Sequence, residues 1–338
     1  MSALQPMARL VAALLREDDR RCLLGEDVRS GGMLGLSRVA AEDEQLRPRL
    51  LGSPLTGAGL VAHAGGLALA GLRPIVLLPS ASALLEALPA LRELGRLPWR
   101  SGGQHDVPVL FVAPNGPGFG VGGDQAECAE ATLTAVPGVE VWCAGRAEDL
   151  CGYLRSAAEF LGTDTDDHDT EHTSGPRVLL LPRSVIVRDL MIDLDLDASL
   201  PRAPTAVLRE GDRATVFAWG AALAPALAAA DACARHSGIE VNVVELGCLA
   251  PLDEALLVEL ASATGKLVIA HAGPRRGGIG AELAALFADR SILHLDAPIL
   301  RVTGELPANL ALLAGHEEHR ASPTATAIAN AITHVVHY

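Results

Sequence analysis

The stretch VPVLFVAPNGPGFGVGG, residues 107–123, reads as a buried strand that runs out into a glycine loop. Val107–Val112 is an unbroken apolar run of strand length, and Asn115–Gly123 follows it, rich in glycine. An apolar run without alternation marks a strand covered on both faces, which requires helices on either side of a parallel sheet. Downstream, Ala126–Ala135 has helical spacing.

Working outward, the same alternation repeats. Met7–Arg16 reads as a helix and Arg21–Leu24 as a strand entering Gly25-Glu26-Asp27. Leu60–Ala70 is a Gly/Ala-rich helix, Pro74–Leu78 a strand and Ala83–Leu94 a helix. Val139–Trp142 is a strand, Ala147–Phe160 a helix and Val178–Leu181 a strand. A second alternation runs through strand Thr215–Trp219, helix Ala221–His236, strand Glu240–Glu245, helix Asp253–Thr264, strand Leu267–His271 and helix Gly280–Ala288. The fold class is therefore α/β: two domains, each a mainly parallel sheet flanked by helices. The expected division is a first domain over 1–190, an acidic Pro-bounded linker over 191–204, and a second domain over 205–338. Gly162–Gly175, GTDTDDHDTEHTSG, is acidic and without apolar period, so a mobile surface loop is expected there. His168 and His172 are read as solvated members of that loop rather than metal ligands.

Composition excludes whole classes of function. The chain has 338 residues, with 27 basic against 41 acidic side chains and a net charge of −14. That balance speaks against binding nucleic acid or an anionic membrane surface. The uncharged stretch Ala214–Ala230 contains Gly220 and Pro225 and is shorter than the ~20 residues of a spanning helix. The N-terminal apolar run is too short and too soon charged for a secretory signal. The six cysteines form no C-x-x-C pair and no zinc spacing, so free thiols in a cytoplasmic protein are expected. Aromatic residues are only 3%, so the core must be built from Ala, Leu and Val.

The glycine loop contains Gly118-x-Gly120-x-x-Gly123 between a strand and a helix, the setting in which a dinucleotide pyrophosphate rests. Glu140 falls where a ribose-binding acid would. Against this NAD-binding reductase reading, the unit is not the first of its sheet and Pro114 and Pro117 disturb the turn. Gly277-Gly278-Ile279-Gly280-Ala281-Glu282 reads as a tight turn with close helix–sheet packing, and Arg100-Ser101-Gly102-Gly103 as a surface turn. No nucleophile elbow, P-loop or diphosphate-type G-D-G motif is present, and no metal ligand set is assigned.

An ordered series of motifs goes further. Gly25-Glu26-Asp27-Val28, Ser53-Pro54-Leu55, Gly59-Leu60, Ala70-Gly71-Leu72-Arg73-Pro74, Arg100-Ser101-Gly102-Gly103, Pro114-Asn115-Gly116 and Pro137-Gly138-Val139 come in the first half. Arg209-Glu210-Gly211, Pro251-Leu252-Asp253, Gly277–Glu282 and Leu295-Asp296-Ala297-Pro298-Ile299 with Arg301–Gly304 follow in the second. Over about residues 5–315 the chain resembles the beta subunit of the decarboxylating component of 2-oxo acid dehydrogenases, the pyruvate and branched-chain type of the transketolase-like family. The resemblance implies a pyrimidine-binding domain and a transketolase C-terminal-type domain. It also implies thiamine diphosphate with magnesium as cofactor, held mainly by a separate alpha subunit. The expected assembly is an α2β2 heterotetramer with a beta–beta homodimer contact.

The resemblance also places the functional residues, and there the sequence departs from it. The family's P-L-x-E-x-G glutamate, which activates the cofactor's pyrimidine, falls at Gly57; the stacking ring falls at Ala83, with Pro79 at the Gln or Met position before it. The histidine of H-S-Q falls at Gln125, and of the cofactor-facing positions Glu26 is kept. Loss of general acid–base help alone costs ~10²–10⁴-fold in rate. Glu127 and Glu130 are the candidates to replace the lost acid. The expectation is thus a degenerate half-site of Glu26, Gly57, Ala83 and Gln125 with no intact catalytic residue, in a beta-subunit-like chain of low or no activity. Its alternative is a non-catalytic assembly or regulatory subunit.

Overall fold

The computed structural model describes residues 3–54, 57–159, 175–188, 195–200, 204–304 and 315–338. The acidic segment up to residue 174, with His168 and His172, lies outside them, as do parts of the 191–204 linker. The first half supplies β1 (Arg21–Gly25), β2 (Leu50–Gly52), β3 (Arg73–Leu77), β4 (Leu110–Asn115), β5 (Glu140–Cys143) and β6 (Arg177–Pro182). The second supplies β7 (Thr205–Arg209), β8 (Thr215–Ala218), β9 (Asn242–Leu246), β10 (Cys248–Ala250), β11 (Leu267–His271) and β12 (Leu300–Thr303).

Two sheets result, ordered β10-β5-β6-β4-β3-β1-β2 and β12-β11-β8-β9-β7. All pairings are parallel except β10 with β5 and β7 with β9. Strands β1, β4, β6, β8 and β11 are buried along their whole length, as the unalternating apolar runs require. The core is aliphatic; its few rings meet in pairs, such as Phe217 and Phe287 with centroids 4.9 Å apart. One apolar cluster runs from Leu24 and Val76 of the first sheet to Phe217 and Val244 of the second, so the domains share core.

Several elements differ from the sequence reading. β4 continues past Val112 to Asn115; β3 stops pairing at Leu77↔Val112, so no strand on that flank requires the N–H that Pro114 lacks. The helix expected over Ala83–Leu94 is two, Ser82–Glu86 and Leu88–Arg100, broken at Ala87; Pro89, in the first turn of the second, has no N–H to carry the first helix's hydrogen bonds onward. Of the helix expected over Ala126–Ala135, only Glu130–Thr134 is α-helical. Ahead of it Gly116 N–H bonds the Glu127 carbonyl at 3.1 Å and Asn115 Oδ1 takes the Ala129 N–H at 3.0 Å, which hold this stretch as a loop. Strands β2, β7, β10 and β12 and the C-terminal helix Ala325–Val336 were not read from the sequence. Among the described residues no helix is long and apolar enough to cross a membrane.

Candidate functional site

Four neighbouring strands, β4-β3-β1-β2, point their carboxyl ends to one edge of the first sheet. Loops at this edge are where open α/β sheets hold ligands. Glu26 follows β1, Gly57 opens the helix after β2, Ala83 lies in the helix after β3, and Gln125 lies in the loop after β4. The fold therefore brings all four sequence-predicted positions to one edge. The turns there are tied to each other: Ser53 N–H bonds Gly25 O at 3.1 Å and Ala81 N–H bonds Pro114 O at 2.9 Å.

The closest approach at this edge is backbone. A Cβ at Gly57 would stand 2.5 Å from the Ala83 carbonyl oxygen, with the Ala87 methyl next at 3.5 Å. A glutamate at 57 could enter only by pushing the helix Ser82–Glu86 away. The position thus lacks both the acid and the space for one. Ala83 itself is buried, and Gln125 is exposed in the single 3-10 turn Gly123–Ala126. Glu26 is half-buried and forms no hydrogen bond among the described residues.

Neither candidate replacement acid lies free at this edge. Glu127 is half-buried and its carbonyl is engaged by Gly116. Glu130 is buried, one oxygen without a partner. Burial raises its pKa, with hydrogen bonds from its own backbone N–H and the Asn115 side chain pulling the other way; burial likewise raises the pKa of the neighbouring Cys128 and Cys143 thiols. A carboxyl in such surroundings tends towards its neutral form.

The glycine loop proves to hold an anion, but not a dinucleotide. Gly118 and Gly120 N–H groups donate to Glu318 at 2.8 and 3.0 Å, and Gly122 N–H donates to its other oxygen. All three glycines have positive φ, which turns alternate amides inward as a nest. Glu318 is 3% exposed, and burial opposes its charge; the three amides and Arg183 outweigh that and lower its pKa. The segment after the loop is a 3-10 turn rather than a helix N-terminus, and Glu140 is engaged with Arg177 at 2.8 Å. The dinucleotide reading is thereby corrected: the chain's own carboxylate fills the loop. No sequence signal could pair residue 318 with a loop about two hundred positions earlier.

Beside this edge lies the seam between the sheets. Buried Glu245 of β9 accepts from Gly145 N–H at 3.0 Å and Tyr153 Oη–H at 3.1 Å, with Arg146 Nε at 3.7 Å. Burial pushes its pKa up to about 7 against the opposing charge of Arg146. β10 joins β5 as the outer strand of the first sheet, and a Cβ at Gly220 would lie 2.9 Å from the Cys143 sulfur. All six cysteines are free, and the described residues contain no group of three His, Cys, Asp or Glu that could hold a metal ion.

Comparison with known proteins agrees with this architecture. Residues 4–165 match the family model for the transketolase pyrimidine-binding domain, and residues 204–325 that for the transketolase C-terminal domain. The pyruvate dehydrogenase E1 component subunit beta-2, mitochondrial, of Oryza sativa subsp. japonica is 31% identical over 288 residues, 83% of this chain and 72% of that protein. The 2-oxoisovalerate dehydrogenase subunit beta of Bacillus subtilis (strain 168) is 29% identical over 301 residues, 87% of this chain and 86% of that one. A solved structure described as a split gene transketolase, inactive beta4 tetramer, superposes with a TM-score of 0.75 at 22% identity. It covers all of this chain and 98% of its own.

Proposed function

The chain belongs to the transketolase-like family of pyruvate and branched-chain 2-oxo acid dehydrogenase beta subunits, and we propose that it fills the beta position of such an assembly without activating the cofactor. The observation that carries this is the contact at Gly57. Family members depend on thiamine diphosphate. In this chain the position that the resemblance gives to the activating acid has no side chain, and the Ala83 carbonyl oxygen lies 2.5 Å from where its first side-chain carbon would stand. The residues present do not fit the pyrimidine half-site, so no catalytic step is assigned to them. Ala83 offers no ring to stack on, and Gln125 can hydrogen-bond but cannot carry a proton near pH 7.

What supports the assembly half of the proposal is the retained framework: both domains, the shared core and the seam. The occupant of the other half-site would be an alpha subunit holding the diphosphate through magnesium, in an α2β2 complex located in the cytoplasm. Light scattering of the chain at tens of micromolar should show a dimer, and mixing with an alpha chain should give a heterotetramer. A clean monomer that ignores the alpha chain would contradict it. Silence is tested separately, by turnover of pyruvate and branched 2-oxo acids.

A further inference from the structure

The loop from β11 to the helix Ile279–Arg290 carries Arg275 and Arg276, and neighbouring β12 carries Arg301. Arg275 Nη1 donates to the Arg301 carbonyl, and Arg301 Nη1 donates to the Arg275 carbonyl at 2.9 Å. This exchange locks two like charges side by side. With Arg276, Gly277 and Ala281 they line an open cavity of about 450 Å³. None of the three arginines forms an ion pair among the described residues, although the chain has 41 acidic side chains against 27 basic ones. Elsewhere arginines meet that excess: Arg155 pairs with Glu17, Glu159 and Asp197, and Arg209 with Asp231 and Glu240.

Among the described residues, the rest of the cavity lining offers no counter-charge. Glu282 and Glu254 line the adjoining groove and bond none of the three. His271, buried beneath, is held near pKa 4 by burial and by Arg301 and Arg275, so it is neutral at pH 7. Gly278 begins a twelve-residue helix with no side-chain cap, and Ala281 brings its first turn to the cavity wall. Each guanidinium has five N–H donors in a planar fork, and the carbonyl exchange uses one on each of Arg275 and Arg301. Locked cations with spare donors beside a helix N-terminus are complementary to tetrahedral oxyanions.

We propose that this cavity binds a phosphoryl-bearing small molecule, a diphosphate or phosphate ester with at least two negative charges. The site lies in the second domain and is independent of the half-site at Gly57. Titration calorimetry of the full chain with inorganic pyrophosphate in 150 mM NaCl (on the order of physiological ionic strength) tests it. The expected result is saturable binding of one pyrophosphate per chain. Arg275→Gln with Arg276→Gln should weaken it about tenfold or more. Arg276→Gln alone, which disturbs no hydrogen bond of the described residues, should weaken it about threefold and so excludes a folding defect as the cause. Citrate at equal ionic strength should not compete. Absent saturation, or unchanged affinity in the double variant, would overturn the site; equal competition by citrate would overturn the phosphoryl assignment.

Discussion

Above β1–β4, Gly57 and Ala83 stand together, and a Cβ at Gly57 would lie 2.5 Å from the Ala83 carbonyl oxygen. Along the seam, Gly145, Gly220 and Gly247 also let chains come close, but what approaches is functional in the structural sense: Glu245, Cys143 and Tyr153 from the facing domain. At the seam the small residues make room for side chains that bond; at the edge they make room for nothing but a carbonyl. The residues that join the two domains are thus different from those at the sheet edge, so the loss of chemistry proposed for the edge leaves the framework untouched.

The largest effect is expected at the seam. Glu245 has its pKa raised to about 7 from 4.5. A raised acid contributes its stability below the unfolded value and loses it as pH climbs through the folded one. The cost to the folded state therefore builds up between about pH 4.5 and 7 and reaches about 3 kcal/mol above pH 7. Glu245→Gln keeps an oxygen for Gly145 and Tyr153 and removes that cost. Urea unfolding should find the variant more stable than wild type at pH 8, with the gap closing towards pH 5. A gap equal at both pH values would show the carboxylate to be charged and satisfied.

Next is the latch on the glycine loop. Glu318→Ala should leave three nest amides unpaired and cost about 1–3 kcal/mol at pH 7. Here the pKa is lowered, so the sign reverses: the contribution is present above the ordinary carboxylate range and lost as pH falls through the folded value. The variant and wild type should converge at acid pH in the same unfolding assay, and amide exchange at Gly118, Gly120 and Gly122 should accelerate only in the variant.

The edge itself should respond to addition rather than removal. Gly57→Glu should destabilise by about 1–3 kcal/mol through overpacking against the Ala83 carbonyl and should confer no turnover. A melting temperature equal to wild type would mean that the helix Ser82–Glu86 yields readily and that the pocket is open to repair. Gln125→Ala, at an exposed position, should change stability by less than about 0.5 kcal/mol, measured by the same melts.

How far the sequence carried these readings follows from the range of the forces. Strands such as Arg21–Gly25 and Leu267–His271 announce themselves because double burial demands apolar residues at every position. The three-residue strands Leu50–Gly52 and Cys248–Ala250 are set by backbone pairing to distant partners and have no such pattern. The positions that the motif order proposes for the half-site, Glu26, Gly57, Ala83 and Gln125, are gathered by the sheet at one edge. The closure of Gly57 on Ala83, the Glu318 nest and the Glu245 bonds across the seam depend on tertiary placement, which no local spacing encodes.

The chain is proposed to fill the beta position without activating the cofactor. The direct measurement of this is decarboxylation of pyruvate and branched-chain 2-oxo acids by the wild-type chain assembled with an alpha subunit, thiamine diphosphate and magnesium, with calorimetry of the cofactor on the same complex. The account predicts a stable complex with no turnover and no micromolar binding of thiamine diphosphate. Robust turnover would contradict it, and would mean that an acid other than residue 57 activates the cofactor.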